Sequence, residues 1–152
     1  MTAGEGECLG LDADEAYRRM IDGRKLIEDI IGRPVADFIA PAWLYGQGAL
    51  DALNRAGFPI AEDHIKVWQP NGAILTRGPV ITWVSRSNGR IASSITFAAL
   101  ARAALHILPI VRIAVHPGDS HVPALLRCID STIRSFARNR VAGRYGDLAP
   151  IP

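Results

Sequence analysis

The sequence predicts an α/β fold built on a mostly parallel sheet. Three observations support it. The apolar run Val111-Arg112-Ile113-Ala114-Val115 stops at His116-Pro117-Gly118-Asp119, and a helical pattern follows. Run, break and helix mark a buried strand that delivers polar residues to the rim of a sheet. Strand and helix patterns alternate in the order helix, strand, helix, strand, strand, helix, strand, helix, which argues for parallel strands. Of the 152 residues, 49% are hydrophobic and 21% charged, a globular composition with enough chain for one domain and a sizeable core.

Residues 1–11 are small and polar and read as a loose N-terminal segment. Asp12-Ala13-Asp14-Glu15 has the form of a capping box, with Asp12 accepting from first-turn amides and Glu15 reaching back. The helix it opens runs to about Ile31, with Ala16, Met20, Ile27 and Ile30 or Ile31 inward and Arg18, Arg19 and Arg24 outward. Gly32 closes it and Pro34 prevents a restart. Residues 36–40 form a short strand stopped by Pro41, and 42–46 the loop beyond it. Residues 47–56 carry Ala49, Leu50, Leu53 and Ala56 at helical spacing, closed by Gly57. Brief strands follow at 58–60 and 63–68, then a Pro70-Asn71-Gly72 turn. Val80-Ile81-Thr82-Trp83-Val84 has strand composition. Ser93 or Ser94 caps an Ala-rich helix that ends at Pro109. The strand at 110–115 looks the most buried. A last helix starts near His121 or Pro123 and fades near Asn139, and 143–152 is an irregular tail.

Several function classes are disfavoured. The net charge is only +2 and no Lys/Arg cluster stands out, so nucleic acid is not expected as a partner. Cys8 and Cys128 have neither metal-ligand spacing nor a disulfide framework, and read as reduced thiols of a cytoplasmic protein, with a single bridge left open. The opening residues lack a basic, then apolar, secretory pattern. The most apolar stretch, 95–115, is interrupted by Arg102, His106, Pro109 and Arg112, so no membrane association is expected.

If the strands are parallel, the segments 41–43, 83–86 and 116–119 all follow carboxyl ends and converge on one rim, as in a binding cleft. His116 there reads as a general acid or base, and alternatively as a structural histidine satisfied by backbone groups. Asp119 reads as the group that orients His116 or binds a substrate hydroxyl, and equally as a helix N-cap. Trp43 and Trp83 offer faces for stacking on sugar rings, or fill the core. Arg86 binds an anion or lies along the surface. His116, Asp119 and His121 together carry metal-ligand chemistry. His64 and His106 lie apart from this group.

Two blocks resemble the NodB-type polysaccharide deacetylases, in their predicted-deacetylase branch. Phe38-Ile39-Ala40-Pro41-Ala42-Trp43, followed by a helix and Gly57-Phe58, resembles the third motif region of that family. Residues 112–119 resemble the last motif, whose histidine is the general acid. Glu5 to Gly23 resembles the link from the family's metal-binding histidines into the next helix. The likeness spans roughly residues 4–148. It implies a partial (β/α) barrel and hydrolysis of N-acetyl groups on amino sugars. Zinc or another divalent metal would lower the pKa of a bound water to about 7. It also implies that His116 protonates the departing amine and that Pro41 and Trp43 wall the sugar pocket.

The departures from the family are specific. Its base and first metal ligand lie on an Asp-Asp pair, and its metal histidines on an H-x-x-x-H stretch. This sequence has no Asp-Asp, and no histidine before His64. Ile39 stands where many members carry an arginine. The likeness therefore implies the carboxyl-terminal portion of the family without its metal half. The expectation is a truncated or partner-dependent chain, inactive alone, with open sheet edges that invite a homodimer. Two other functions are consistent with the residues: a non-catalytic carbohydrate-binding module, and a small metal hydrolase using His116, Asp119 and His121.

Overall fold

A computed structural model of the chain describes residues 6–148. The fold is mixed α/β, with four α-helices and two small sheets among the described residues. It divides into two compact units, Met1–Arg77 with Arg144–Pro152, and Gly78–Gly143. The sequence predicts one domain because no linker composition marks the boundary, which falls between Arg77 and Gly78, directly after the strand Ile74–Arg77.

The first unit opens with α1 (Ala13–Ile31). Asp12 caps it, accepting from the amides of Asp14 at 3.0 Å and Glu15 at 2.8 Å. Glu15 does not reach back as the capping box predicts. Its carboxylate is taken by Arg18 and Arg19, each at 2.7 Å. Gly32 ends the helix with φ of 67°, a left-handed conformation that costs glycine little. Arg24 does not face outward; its guanidinium lies 3.7 Å from the Phe58 ring centroid.

The inward face of α1, Ala16 and Met20, packs in one cluster with Ala49, Ala52 and Leu53 of α2 (Gln47–Arg55). Cys8 joins the cluster, so part of the segment expected to be loose is anchored; residues 1–5 lie outside the described chain. The anchor depends on two glycines. A Cβ on Gly46 would collide with the Leu9 carbonyl, and one on Gly48 with the Leu11 carbonyl. The Gly46 amide donates to the Cys8 carbonyl at 3.0 Å.

The sheet of this unit has the order β1 (Asp37–Ile39), β2 (Ile60–Glu62), β3 (Lys66–Trp68), β4 (Ile74–Arg77). Only β1 and β2 are parallel, joined through α2; β2–β3 and β3–β4 are antiparallel. The physical reason is connection length. The Asp63-His64-Ile65 link is too short for a parallel crossover but suits a hairpin. Asp63 fixes that turn by accepting from the amides of Ile65 at 2.7 Å and Lys66 at 2.9 Å. β4, beyond the Pro70-Asn71-Gly72 turn, is a strand that the sequence pattern did not predict. Tyr145–Leu148, within the expected irregular tail, forms a short 3₁₀ turn, and 149–152 lie outside the described residues.

The second unit pairs β5 (Val80–Thr82) with β6 (Arg112–Ala114) in parallel, joined through α3 (Asn88–Ala104), and ends with α4 (Pro123–Ala137). Ile81 and Trp83 pack against Ala98 and Ala101 of α3 and Leu125, Cys128 and Ile129 of α4. Ser87, not Ser93 or Ser94, caps α3. Ser94 lies within the helix, donating to the Arg90 carbonyl at 2.6 Å and accepting from the Val84 amide at 3.1 Å. The strand expected to be the most buried is not: Ile113 and Ala114 are half-buried and Val115 is exposed. With a single partner strand, β6 is an edge among the described strands, and the mostly parallel sheet expected from the alternation gives way to two parallel and two antiparallel pairings. No closed barrel forms among the described residues.

No helix among the described residues is long and apolar enough to cross a membrane. Both cysteines are free thiols.

Candidate functional site

Each unit carries polar groups at the carboxyl ends of its parallel strands, and each is built from local sequence. In the second unit β6 ends at Ala114, and His116 opens the 3₁₀ turn Pro117–His121. Pro117 favours that position because its missing N–H would have no partner in a first turn. The turn folds Asp119 back under His116. Asp119 Oδ2 accepts the His116 backbone N–H at 3.0 Å and lies 3.7 Å from the His116 Nδ1. Thr82 Oγ1, from the end of β5, lies 3.5 Å from the same Nδ1. The Asp119 side chain is 1% exposed, whereas the His116 side chain is 55% exposed. A buried carboxylate thus backs an imidazole that reaches solvent, an arrangement able to fix a ring and its proton position. With so little exposure, Asp119 is not placed to bind a substrate hydroxyl.

The other predicted residues of this unit separate. Trp83 is 2% exposed, packed in the core, and its indole N–H donates to Cys128 Sγ at 3.4 Å. Its ring does not present a face for stacking, because strand alternation sends Thr82 to one face of the sheet and Trp83 to the other. Arg86 is exposed in the loop between β5 and α3. His121 is exposed at the end of the 3₁₀ turn, while the Asp119 carboxylate is turned inward. Among the described residues no three His, Cys, Asp or Glu side chains come together as a metal donor set. His116, Asp119 and His121 are therefore not a metal triad, and the zinc implied by the family likeness has no ligand set among these residues.

In the first unit, the segment Pro41–Trp43 after β1 is a 3₁₀ turn with an unusual backbone. Ala42 has φ of 54° and Trp43 φ of 58°, two successive non-glycine residues in the left-handed region. Each such residue costs roughly 1–2 kcal/mol, so surrounding contacts must hold the turn. Three are evident. The Trp43 indole N–H donates to Glu62 Oε1 at 2.9 Å. The Trp43 and His64 ring centroids are 4.6 Å apart, inclined at 43°. The Trp43 backbone N–H donates to the Ala40 carbonyl at 2.8 Å. The tryptophan itself is half-buried and Pro41 is exposed.

Glu62, at the end of β2, is 2% exposed although it is an acid. Its carbonyl accepts from the Tyr45 hydroxyl at 2.7 Å, and that hydroxyl accepts the Ala40 amide at 3.2 Å. Tyr45 thereby ties the ends of β1 and β2 together. Burial raises its hydroxyl pKa above the ordinary tyrosine value. Asp37, across the parallel pair, has its carboxyl pKa raised by burial first and by the Glu62 charge second. Pro41 also borders a cavity of about 270 Å³, lined by Cys8, Leu11, Met20, Phe38 and Ile39 among others.

The sequence singled out Pro41, Trp43, His116 and Asp119, but not Glu62 or Tyr45. Glu62 had a signal: Ile60-Ala61-Glu62 places an acid in an otherwise apolar run, directly before Asp63-His64. An acid there has to be paired if the strand is buried on both faces.

No family model matches this sequence, and neither a curated protein nor a solved structure matches it.

Proposed function

We propose that the chain is a polysaccharide-deacetylase-like protein that engages N-acetylated amino sugars, with a partial barrel as its evolutionary frame. The observation that carries this is the pair at the end of β6: an exposed His116 imidazole backed by the buried Asp119. In this reading Asp119 and Thr82 face Nδ1 and set the ring, and the outer edge of the imidazole delivers a proton to the departing amine. Positioned proton transfer of this kind contributes on the order of 10² to 10⁴ in rate. In the first unit Pro41 and Trp43 offer a wall for a sugar ring, and in the second Arg86 is a surface cation for polar substituents. Trp83 contributes packing rather than contact.

The divalent metal of the resembled family would supply a hydroxide nucleophile when bound. The described residues do not assemble its ligands. The chain alone is accordingly proposed to bind sugar without turnover, which coincides with the carbohydrate-binding alternative in its observable behaviour.

The experiment is a titration of the purified chain with an N-acetylglucosamine tetramer. It is followed by two-dimensional nuclear magnetic resonance of the histidine and indole signals, with acetate release measured in parallel with and without added zinc. Binding that moves the His116 or the Trp43 signal, with no acetate released, supports the proposal. If neither signal moves, the sugar reading fails. Acetate release that Asp119→Asn and His116→Ala both abolish would show that the chain alone is sufficient for catalysis.

A further inference from the structure

The backbone of Trp43 is the least expected feature of the first unit. An aromatic ring that stacks on a sugar must hold one face steady. Yet Trp43 sits on two successive left-handed residues, Ala42 and Trp43, which by themselves favour relaxation to another conformation. Something must over-determine the indole, and the geometry supplies a chain of contacts. Tyr45 donates to the Glu62 carbonyl at 2.7 Å and so fixes the end of β2. The Glu62 side chain, 2% exposed, accepts the Trp43 indole N–H at 2.9 Å. His64, two residues beyond Glu62, places its ring 4.6 Å from the indole.

We propose that Glu62 is a positioning residue: its buried carboxylate locks the Trp43 indole against the His64 ring so that the tryptophan forms a preset platform for the apolar face of a pyranose ring. This rests on the reading of Trp43 as a sugar contact. Two physical effects favour a carboxylate in this place. A hydrogen bond to a charged acceptor is stronger than one to a neutral acceptor, so the indole loses little orientation in solution. Electron density withdrawn from the carboxylate toward the N–H also leaves the ring more negative on its face, which strengthens contact with the polarised C–H groups of a sugar. Glu62 touches the ring and not the ligand, so it acts through Trp43.

The test uses the full chain, nitrogen-15 labelled. It contains three tryptophans, and the indole N–H of Trp43 is identified by its loss in Trp43→Phe. Glu62→Gln keeps an oxygen acceptor of the same shape. Glu62→Met keeps the volume without an acceptor, and guards against a Glu62→Ala variant that fails to fold. In a folded Met or Ala variant the Trp43 N–H should move upfield. Its hydrogen exchange should quicken, and the N-acetylglucosamine tetramer should bind about tenfold more weakly, the effect of losing one charge-assisted bond. Glu62→Gln, which keeps a neutral acceptor, should fall between wild type and the Met variant in all three readouts. An unmoved Trp43 N–H in the Met variant would overturn the proposal, as would a Gln variant no better than Met. If the wild-type chain binds no tetramer, the sugar role of the platform falls together with the proposed function. The response of the Trp43 N–H to the Glu62 variants still decides separately whether Glu62 holds the ring.

Discussion

Removing the Asp119 carboxylate should loosen the second unit and its exposed histidine together. Asp119→Ala deletes the acceptor of the His116 amide, a 3.0 Å bond to a side chain that is 1% exposed. A hydrogen bond to a charged group contributes about 1.5–3 kcal/mol, and leaving the amide without its acceptor puts the loss toward the upper end. The truncation also leaves unfilled space beneath the 3₁₀ turn. The ion-pair distance of 3.7 Å to Nδ1 adds little, because that imidazole is more than half exposed and water screens it. The expected cost is therefore about 3 kcal/mol, or a melting point lower by roughly 6 °C or more for a chain of this size. Asp119→Asn keeps an oxygen for the amide and should cost about 1 kcal/mol. The assay is thermal unfolding combined with native-state hydrogen exchange read at the His116 amide, which should lose protection in the Ala variant and keep most of it in the Asn variant. Asp130→Ala, on the exposed face of α4, is the surface control. If Asp119→Ala melts like Asp130→Ala and the His116 amide stays protected, the carboxylate does not hold the turn and the histidine is not fixed by it.

Further outcomes are expected in the first unit. Gly48→Ala should destabilise by about 3 kcal/mol, because the added Cβ meets backbone rather than a yielding side chain; denaturant unfolding measures it, and a near-neutral result would refute the close approach of α2 to the Leu11–Ala13 backbone. Ala42→Gly should stabilise by about 0.5–1 kcal/mol, since glycine adopts positive φ without steric cost but is more flexible when unfolded. Asp37→Asn should raise the melting point at pH 7 but not at pH 3. The Asp37 pKa is raised in the folded chain, so the fold favours the protonated form and stability falls as pH rises through the window above its ordinary value of 3.8. Glu15 acts in the opposite sense. Hydrogen bonds from Arg18 and Arg19 lower its pKa to about 2, so its contribution is complete above 4.5 and is lost as pH falls toward 2. Glu15→Gln should therefore flatten the acid limb of a stability-against-pH curve, and an unchanged limb would show that this exposed cluster contributes nothing measurable.

Local chemistry made much of the chain legible. α1 and its Asp12 cap, the Gly32 stop, α2 closed near Gly57, the core strand around Val80 and the helix opened by Pro123 all follow from residues within one turn of the feature. The strand pairing was less legible. Parallel and antiparallel strands share the same side-chain alternation, so the pattern at 60–68 could not reveal that β2 and β3 form a hairpin; the three-residue link between them decides it. The candidate site divides in the same way. The break at His116-Pro117 announced a polar group after a strand, and that group is there. Trp83 was read toward the rim because it ends a strand, but the parity of β5 sends it into the core against Cys128.

The amino-acid order alone determined where helices begin and stop, which segments are extended, and that an imidazole follows a β-strand, because caps, glycines, prolines and apolar spacing act over a few residues. Only the tertiary structure decided that Asp119 is buried beneath His116, that Glu62 holds the Trp43 indole across 19 positions of sequence, and that the strands divide between two sheets. Those outcomes depend on which surfaces exclude water together, and contacts between distant segments leave no periodic trace in either segment by itself.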